Sequence, residues 1–346
     1  MGTVIQRLPP SDALKEARWD AFVMGCPSAT FFHRAGWQSV LRDVFRHETH
    51  FLYAEIDGRI EGVLPLARVK SLLFGHSLVS LPFAVYGGAA ASHPRVADEL
   101  ERSAQELALR LGVDHLELRN VAPRHADWPM QDLYVTFRKA LLPDEEANLS
   151  AIPRKQRAMV RKGIAKGLRS EVDTGVDRFF ALYASNVHRH GTPGLPKRYF
   201  EALRRTFGAD CDVQTVVGAD GQPLSSVLSF YFRDEVLPYY AGDDPMAREV
   251  AANDFKYWEL MRRACARGFK VFDYGRSKRG SGSYAFKKNW GFESQPLHYE
   301  YCLYKRDAVP QNNPNNAKYR LLIEAWRRMP IGVANWLGPI VARSLG

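Results

Sequence analysis

A pattern that occurs twice constrains this chain more than any single motif. Residues 51–68 (FLYAEIDGRIEGVLPLAR) alternate apolar and polar positions around Asp57-Gly58, and residues 213–233 (VQTVVGADGQPLSSVLSFYFR) do the same around Asp220-Gly221. Alternation about an Asp-Gly pair signals a hairpin. Each hairpin precedes a strand-like run ending in Tyr-x-Gly, at Tyr86-Gly87-Gly88 and at Tyr240-Ala241-Gly242, and each run leads into a helix. The helix over 94–111 places Val96, Leu100, Leu107 and Leu111 on one face and stops at Gly112. The helix over 253–267 takes Asn253 as its cap, buries Trp258, Met261 and Cys265, and stops at Gly268. Both run into strands, at 113–120 and 269–275. The copies lie about 160 residues apart, well beyond the repeat of about 20–50 residues that marks a solenoid. The expected fold is therefore mixed α/β (α+β), with two tandem domains whose mixed, mainly antiparallel sheets are flanked by helices.

With 346 residues, 46% hydrophobic and 25% charged, the chain can bury a full core in each copy. The stretch 142–148 (LPDEEAN) marks the expected boundary, giving a first domain over 1–143 and a second over 144–305. The asparagine- and proline-rich stretch 311–318 reads as a linker inside a separate tail over 306–346. No run of about 18 apolar residues is present. The beginning of the chain lacks an apolar signal core, and Gln6 stands where a myristoylation signal wants Ser or Thr. The expected location is the cytoplasm. Cys26, Cys211, Cys265 and Cys302 are scattered singly, so they read as apolar residues in a reduced compartment, with neither a metal site nor a disulfide framework.

Net charge is +10, and its location is informative. Residues 151–170 carry seven basic side chains and no acid, and residues 276–288 carry five and no acid; the rest of the chain is slightly acidic. Two focused basic patches suit a polyanion better than general solubility does. In the first, Pro153 suits a helix start. Arg154, Arg157, Arg161, Lys162, Lys166 and Arg169 then cover about half the circumference, opposite Val160, Ile164 and Leu168. Exposed helices normally interleave signs, and the absence of acid here points to phosphate binding.

The second patch lies in FDYGRSKRGSGSYAFKKNWGF at 272–292. Asp273 ends a strand, and Arg276 and Lys278 follow at its carboxyl end, where open α/β sheets hold ligands. Gly280 and Gly282 allow a tight turn, and Lys287 sits between Phe286 and Trp290, where its ammonium is partly desolvated. A third segment, VHRHGTPGLPKRYF at 187–200, reads as a loop. His190 in it is either a general base that takes an ammonium proton or part of a loop that shapes a pocket. The signatures GxxxxGK[ST], GxGxxG and GxSxG are absent.

Together, the doubled unit, the PRKQRAMVRKGIAKGL helix, the HGTP loop and FDYGRSK followed by YAFKKNWGF resemble the FemAB family of GNAT-like acyltransferases. PYYAG at 238–242, ANDFKYWELMRRA at 252–264 and the tail WRRMPIGVANWLGP resemble the branch found beside exosortase/PEP-CTERM exopolysaccharide loci. The likeness spans nearly the whole chain and is strongest from about residue 151 to 340. It implies transfer of an acyl or aminoacyl group onto an amine of a cell-envelope, exopolysaccharide or peptidoglycan-type precursor. The donor would be aminoacyl-tRNA or acyl-CoA as co-substrate, with no bound cofactor. Residue by residue, Arg154, Arg157 and Arg161 become phosphate contacts and Lys287 the cation that stabilises the electrophile. Asp273 and His190 stand as candidate proton acceptors, and Arg276, Lys278, Thr192, Tyr240 and Trp290 as candidate binding residues.

Two departures bear on the donor. The long helical hairpin of many tRNA-dependent members is missing, and so is the Gln/Arg-x-x-Gly-x-Gly/Ala pyrophosphate loop, where DDPMAREVAAND stands instead. The competing readings are a CoA-dependent N-acyltransferase of a sugar or amino-acid amine, and a non-enzymatic polyanion binder with steep salt dependence. In the tail, apolar Leu321, Leu322, Ile323, Trp326, Ile331, Val333, Trp336, Leu337, Ile340 and Val341 mix with Lys318, Arg320, Arg327, Arg328 and Arg343, and Pro330 and Pro339 break it into short helices. It either lies on an anionic leaflet near a lipid-linked, phosphate-bearing acceptor or packs onto the first domain. The basic helix and the lysine-bearing turn are expected to converge on one cavity.

Overall fold

The computed structural model describes residues 2–71, 75–310 and 317–344, apart from the side chains of 317–321. In chain order, the elements of the first half are β1 (Val4–Arg7), α1 (Ala13–Gly25), α2 (Trp37–Phe45), β2 (Glu48–Ile56), β3 (Arg59–Ser71), β4 (Gly75–Ser80), β5 (Ala90–Ala91), α3 (Pro94–Leu111), β6 (His115–Asn120), β7 (Met130–Gln131) and β8 (Tyr134–Ala140). Next come α4 (Glu145–Ala151), α5 (Arg154–Ala165), β9 (Arg169–Val172), α6 (Asp177–Arg189), α7 (Lys197–Phe207), β10 (Cys211–Val217), β11 (Pro223–Phe232) and β12 (Glu235–Asp243). The chain continues through α8 (Ala252–Ala266), β13 (Val271–Asp273), β14 (Ser277–Lys278), α9 (Gly282–Asn289), β15 (Ser294–Pro296), β16 (His298–Leu303), α10 (Ala317–Arg328) and α11 (Ile331–Ala342).

Two units form. One comprises Met1–Leu133, Pro296–Asn312 and Arg343–Gly346, and the other Tyr134–Gln295 and Asn313–Ala342. This differs from a linear division at 143/144, because two strands change places. β8 follows the first copy in sequence but enters the second sheet, and β16 follows the second copy but enters the first sheet.

In the first unit the strand order is β1-β2-β3-β4-β6-β16-β7, with β5 also on β3. Among the described pairings, all are antiparallel except β4 with β6. The β2–β3 turn carries positive φ at Asp57 (50°) and Gly58 (77°), the conformation an Asp-Gly hairpin supplies cheaply. Leu64, Leu66, Leu78, Leu116 and Leu118 meet Val96, Leu100, Ala104 and Ala108 of α3 in a closed core. Tyr86-Gly87-Gly88 does not end a strand: β4 stops at Ser80, and positive φ at Leu81 and Phe83 turns the chain away. The Gly87 and Gly88 amides then bond the Arg119 carbonyl.

In the second unit the order is β14-β8-β13-β12-β11-β10-β9, with β15 on β8. Only β12 with β13 is parallel among the described pairings. Trp258, Leu260, Met261 and Ala264 of α8 pack with Phe137, Phe272, Tyr274 and Trp290. Asn253 is not the cap of α8. The cap position is Ala251, in the left-handed region at φ 60°, with no side-chain bond. The tail up to Ala342 packs within this second unit. Met329 O bonds His188 Nε2 at 2.8 Å, and Gly338 of α11 sits against the backbone of Gly194. Pro330 separates α10 from α11, whereas Pro339 lies inside α11 and does not end it. Of the expected linker at 311–318, residues 311–316 lie outside the described residues, as do the side chains of Lys318, Arg320 and Leu321, and 317 and 318 begin α10.

Candidate active site

The sheet of the second unit opens between its two parallel strands. β12 and β13 pair only at Glu235–Val271 and Val236–Phe272. Beyond Val236, β12 runs on to Asp243 with no strand on that side among the described residues. A bulge opposite Leu228/Ser229 lies where Pro238, which has no N–H, enters the ladder. The Oγ of Ser229, fully buried there, has no hydrogen-bond partner. A strand edge left open in this way presents backbone N–H and C=O groups.

Gly242 is required by close approach. A Cβ on it would lie 2.3 Å from the backbone nitrogen of Tyr183, so α6 crosses directly over β12. Beside it, the Tyr240 hydroxyl meets Tyr199 Oη at 3.0 Å, inside an aromatic group with Tyr183 and Phe200. Burial pushes the Tyr240 hydroxyl far above the usual phenol range, so it stays a neutral donor. Tyr183 Oη accepts from Leu195 N, which ties the 190–196 loop to this group. Thr192 and His190 are exposed on that loop. Gly191, at φ 70°, leaves no room for a side chain under Ile323 of α10.

On the other side of the opening stands the turn 274–276. Lys287 Nζ donates to the carbonyls of Tyr274 (2.6 Å), Gly275 (3.0 Å) and Arg276 (3.2 Å). Burial pushes its pKa down to about 7, with Asp273 opposing that shift and Arg276 adding to it. The segment expected to be a turn is helix α9, started by Ser281 accepting from Tyr284 N; Lys287 sits in its last turn, where a cation suits the helix dipole. Asp273 is fully buried and engaged: Arg138 Nη1 reaches it at 2.9 Å, the Gly275 amide at 2.7 Å and Thr136 Oγ1 at 3.4 Å. Arg276 is exposed and lies over the Tyr134 ring at 4.6 Å; Lys278 is half-buried two residues on. Trp290 is fully buried, donates to Asp254 at 2.9 Å and packs behind Tyr274.

The structure therefore gathers Lys287, Asp273, Arg276 and Trp290 around one turn, and Tyr240 with the Thr192 loop around another group. α5 packs on α8 through Gln156, Val160 and Gly163, the last fitting against Phe255. Ile164, expected on the buried side, is 50% exposed, because the close approach at Gly163 rotates the seam away from it. Arg154 and Arg161 are exposed, and Arg157 bonds the Ser150 carbonyl. α5 and α9 meet where Pro153 touches the Gly291 position. No described interaction joins the guanidinium groups of Arg154, Arg157 or Arg161 to Lys287, whose N–H groups are turned onto backbone carbonyls.

Two participants escaped the sequence reading. Arg138 arrives on β8, from a segment that reads as the first domain, and nothing local signals this. Lys256 is fully buried and bonds Asp243 at 2.9 Å. Its signal was present, since Ala252, Lys256, Leu260 and Ala264 form one buried i,i+4 stripe with a lysine inside it. In the loop before α8, Asp244 takes the Met246 amide and Asp243 is held by Lys256 and Ser225.

Residues 154–288 match the family described as Acetyltransferase (GNAT) domain. No curated protein matches the chain. Among solved structures, that of FemX is similar over 85% of this chain and 97% of its own, at 14% identity and a TM-score of 0.66. L-PGS from Bacillus licheniformis matches over 92% and 98%, at 12% identity and 0.58. A tandem GNAT protein from the clavulanic acid biosynthesis pathway matches over 89% and 100%, at 13% identity and 0.55. The fold is a tandem GNAT fold, and residues 154–288 in its second half are similar to the GNAT acetyltransferase domain. Among the described residues no helix is long and apolar enough to cross a membrane, and no His/Cys/Asp/Glu group could hold a metal ion.

Proposed function

We propose that this chain is a FemAB-like acyltransferase that moves an acyl or aminoacyl group onto an amine of a phosphate-bearing cell-envelope, exopolysaccharide or peptidoglycan-type precursor. Within that reading it falls in the branch associated with exosortase/PEP-CTERM loci. The observation that carries the proposal is the opening between β12 and β13 inside the GNAT-matching segment, flanked by Tyr240 on one side and the Lys287-held turn on the other. Acyl transfer needs a deprotonated amine, aligned reactants and a stabilised oxyanion. In this reading Arg276 and Lys278 supply positive field, and His190, the exposed candidate, takes the proton. Lys287 and Asp273 position the 274–276 turn. Arg154, Arg157 and Arg161 bind the acceptor's phosphates, and Thr192, Tyr240 and Trp290 shape the groove.

The donor is aminoacyl-tRNA or acyl-CoA: the acidic loop 243–251, whose Met246 amide is already taken, weighs against a pyrophosphate, and the missing helical hairpin weighs against tRNA. A panel of charged tRNAs and acyl-CoA thioesters, read by mass spectrometry of the acceptor, tests this. Turnover with a thioester alone removes the tRNA reading, and turnover with no donor removes the enzyme reading.

Peripheral contact with a membrane through 318–346, on the inner face of the cytoplasmic membrane, belongs to the same proposal. α11 packs through small residues (Ala334, Gly338, Ala342) and leaves Trp336 (70% exposed) and Ile340 (61%) outside, near the basic end of α10 at Arg327 and Arg328. Large apolar side chains facing out beside cations suit an anionic leaflet. Parent protein should sediment with phosphatidylglycerol vesicles, and Trp336→Ser/Ile340→Ser should not; equal sedimentation ends the idea.

A further inference from the structure

The second unit contains a pocket whose charged residue, Lys139, the transfer reaction leaves unused. It has a volume of about 280 Å³, and its walls include Leu141, Ile152, Met261, Phe272, Trp290 and Phe292. Protein interiors hold few voids larger than a water molecule, and an apolar cavity of roughly 150 Å³ already accepts benzene. This pocket is larger and mainly apolar. Its shape is fixed by Asn148, whose side-chain amide bonds Leu142 O (2.7 Å), Asp144 O (2.8 Å) and Leu142 N (2.9 Å), so the lip is clamped and Asn148 has little left to offer a ligand.

One charged group lines the pocket. Lys139 is half-buried, and its ammonium lies 5.6 Å from the Phe292 ring centroid and 3.8 Å from the Cβ position of Gly291. No carboxylate contacts it among the described residues, and burial pushes its pKa below the ordinary lysine value. A partly desolvated cation beside an apolar cavity is complementary to an anion with an apolar tail, because the charge-assisted bond forms where water competes poorly.

We infer that this pocket binds an amphiphilic anion, with a single alkyl or acyl chain along Leu141, Leu142 and Ala151 and a carboxylate or phosphate head on Lys139. The site shares Trp290 with the groove of the transfer reading, but Lys139 has no part in that reaction, and binding at the site is tested without it.

Calorimetric titration of the full chain below the micelle concentration tests it, with decanoate, decyl phosphate, decanol and decyltrimethylammonium as probes. One of the anions should saturate at one site per chain, the comparison of decanoate with decyl phosphate identifying the head group, and the cation should not bind. Lys139→Met, of similar length, should weaken the anions at least ten-fold and leave decanol unchanged. Ala151→Leu, at an exposed rim position, should weaken decanol and anions together while the melting temperature stays at the parent value. Absence of saturable anion binding, cation binding as tight as anion binding, or parent-like affinity in both variants overturns the site.

Discussion

At the residue scale, Lys287 shows what a local reading leaves out. Its neighbours Phe286 and Trp290 announce a desolvated ammonium, and the ammonium is desolvated. What the sequence does not disclose is that the chain turns back at Gly275 (φ 65°) and presents three carbonyls to it. The consequence can be measured. A folded pKa of about 7 lies below the unfolded value of about 10.4, so between those pH values the unfolded chain binds more protons. Stability from this group therefore rises with pH across that window. The urea midpoint of the parent should climb between pH 7 and 9.5 relative to that of Lys287→Met. Parallel profiles would mean that the ammonium keeps its charge in the fold. Lys287→Met should also leave carbonyls of the 274–276 turn without a donor, at about 1–3 kcal/mol each, and should lower the transfer rate by loosening that turn. Asp273→Asn weakens charged bonds to Arg138 and the Gly275 amide, with an expected loss of about 1.5–3 kcal/mol in urea unfolding.

At the element scale, much was legible. Both Asp-Gly hairpins, the helix ending at Gly112 and the helix beginning after Pro153 occur as their sequences imply, because turn glycines and 3.6-residue periodicity act locally. The failures share a cause: a tertiary neighbour overrides the local signal. Gly163 admits Phe255 and rotates the buried face of α5, and the left-handed Ala251 begins α8 ahead of the asparagine that looked like its cap. Gly242 is the tightest of these approaches. Gly242→Ala pushes a methyl group into the α6 backbone, which cannot swing aside as a side chain can. The expected cost is about 3 kcal/mol or loss of the fold, read as a fall in thermal midpoint; an unchanged midpoint would mean that α6 shifts freely. On α5, Arg154 and Arg161 are exposed, so replacing both with Gln should spare stability. The same change should raise KM at least ten-fold for a phosphate-bearing acceptor and flatten its salt dependence, without changing kcat.

At the scale of the whole molecule, the duplication could be read from spacing, but the exchange of β8 and β16 could not. Each strand looks locally like the end of its own copy, and only pairing with a distant sheet reveals where it belongs. Chains cut at 143/144 should each lack one inner strand and recover solubly only when expressed together; independent, cooperative melting of either fragment would contradict the exchange. The same connectivity matters during synthesis. β6 waits for β16, and their contact between Asn120 and Glu300 spans 180 residues. At about 5–20 residues per second, the ribosome leaves that strand's hydrogen-bonding groups bare for roughly 10–35 s, a window in which a sticky sheet margin invites wrong partners. The nascent protein would thus be most in need of a chaperone just before its last strand emerges.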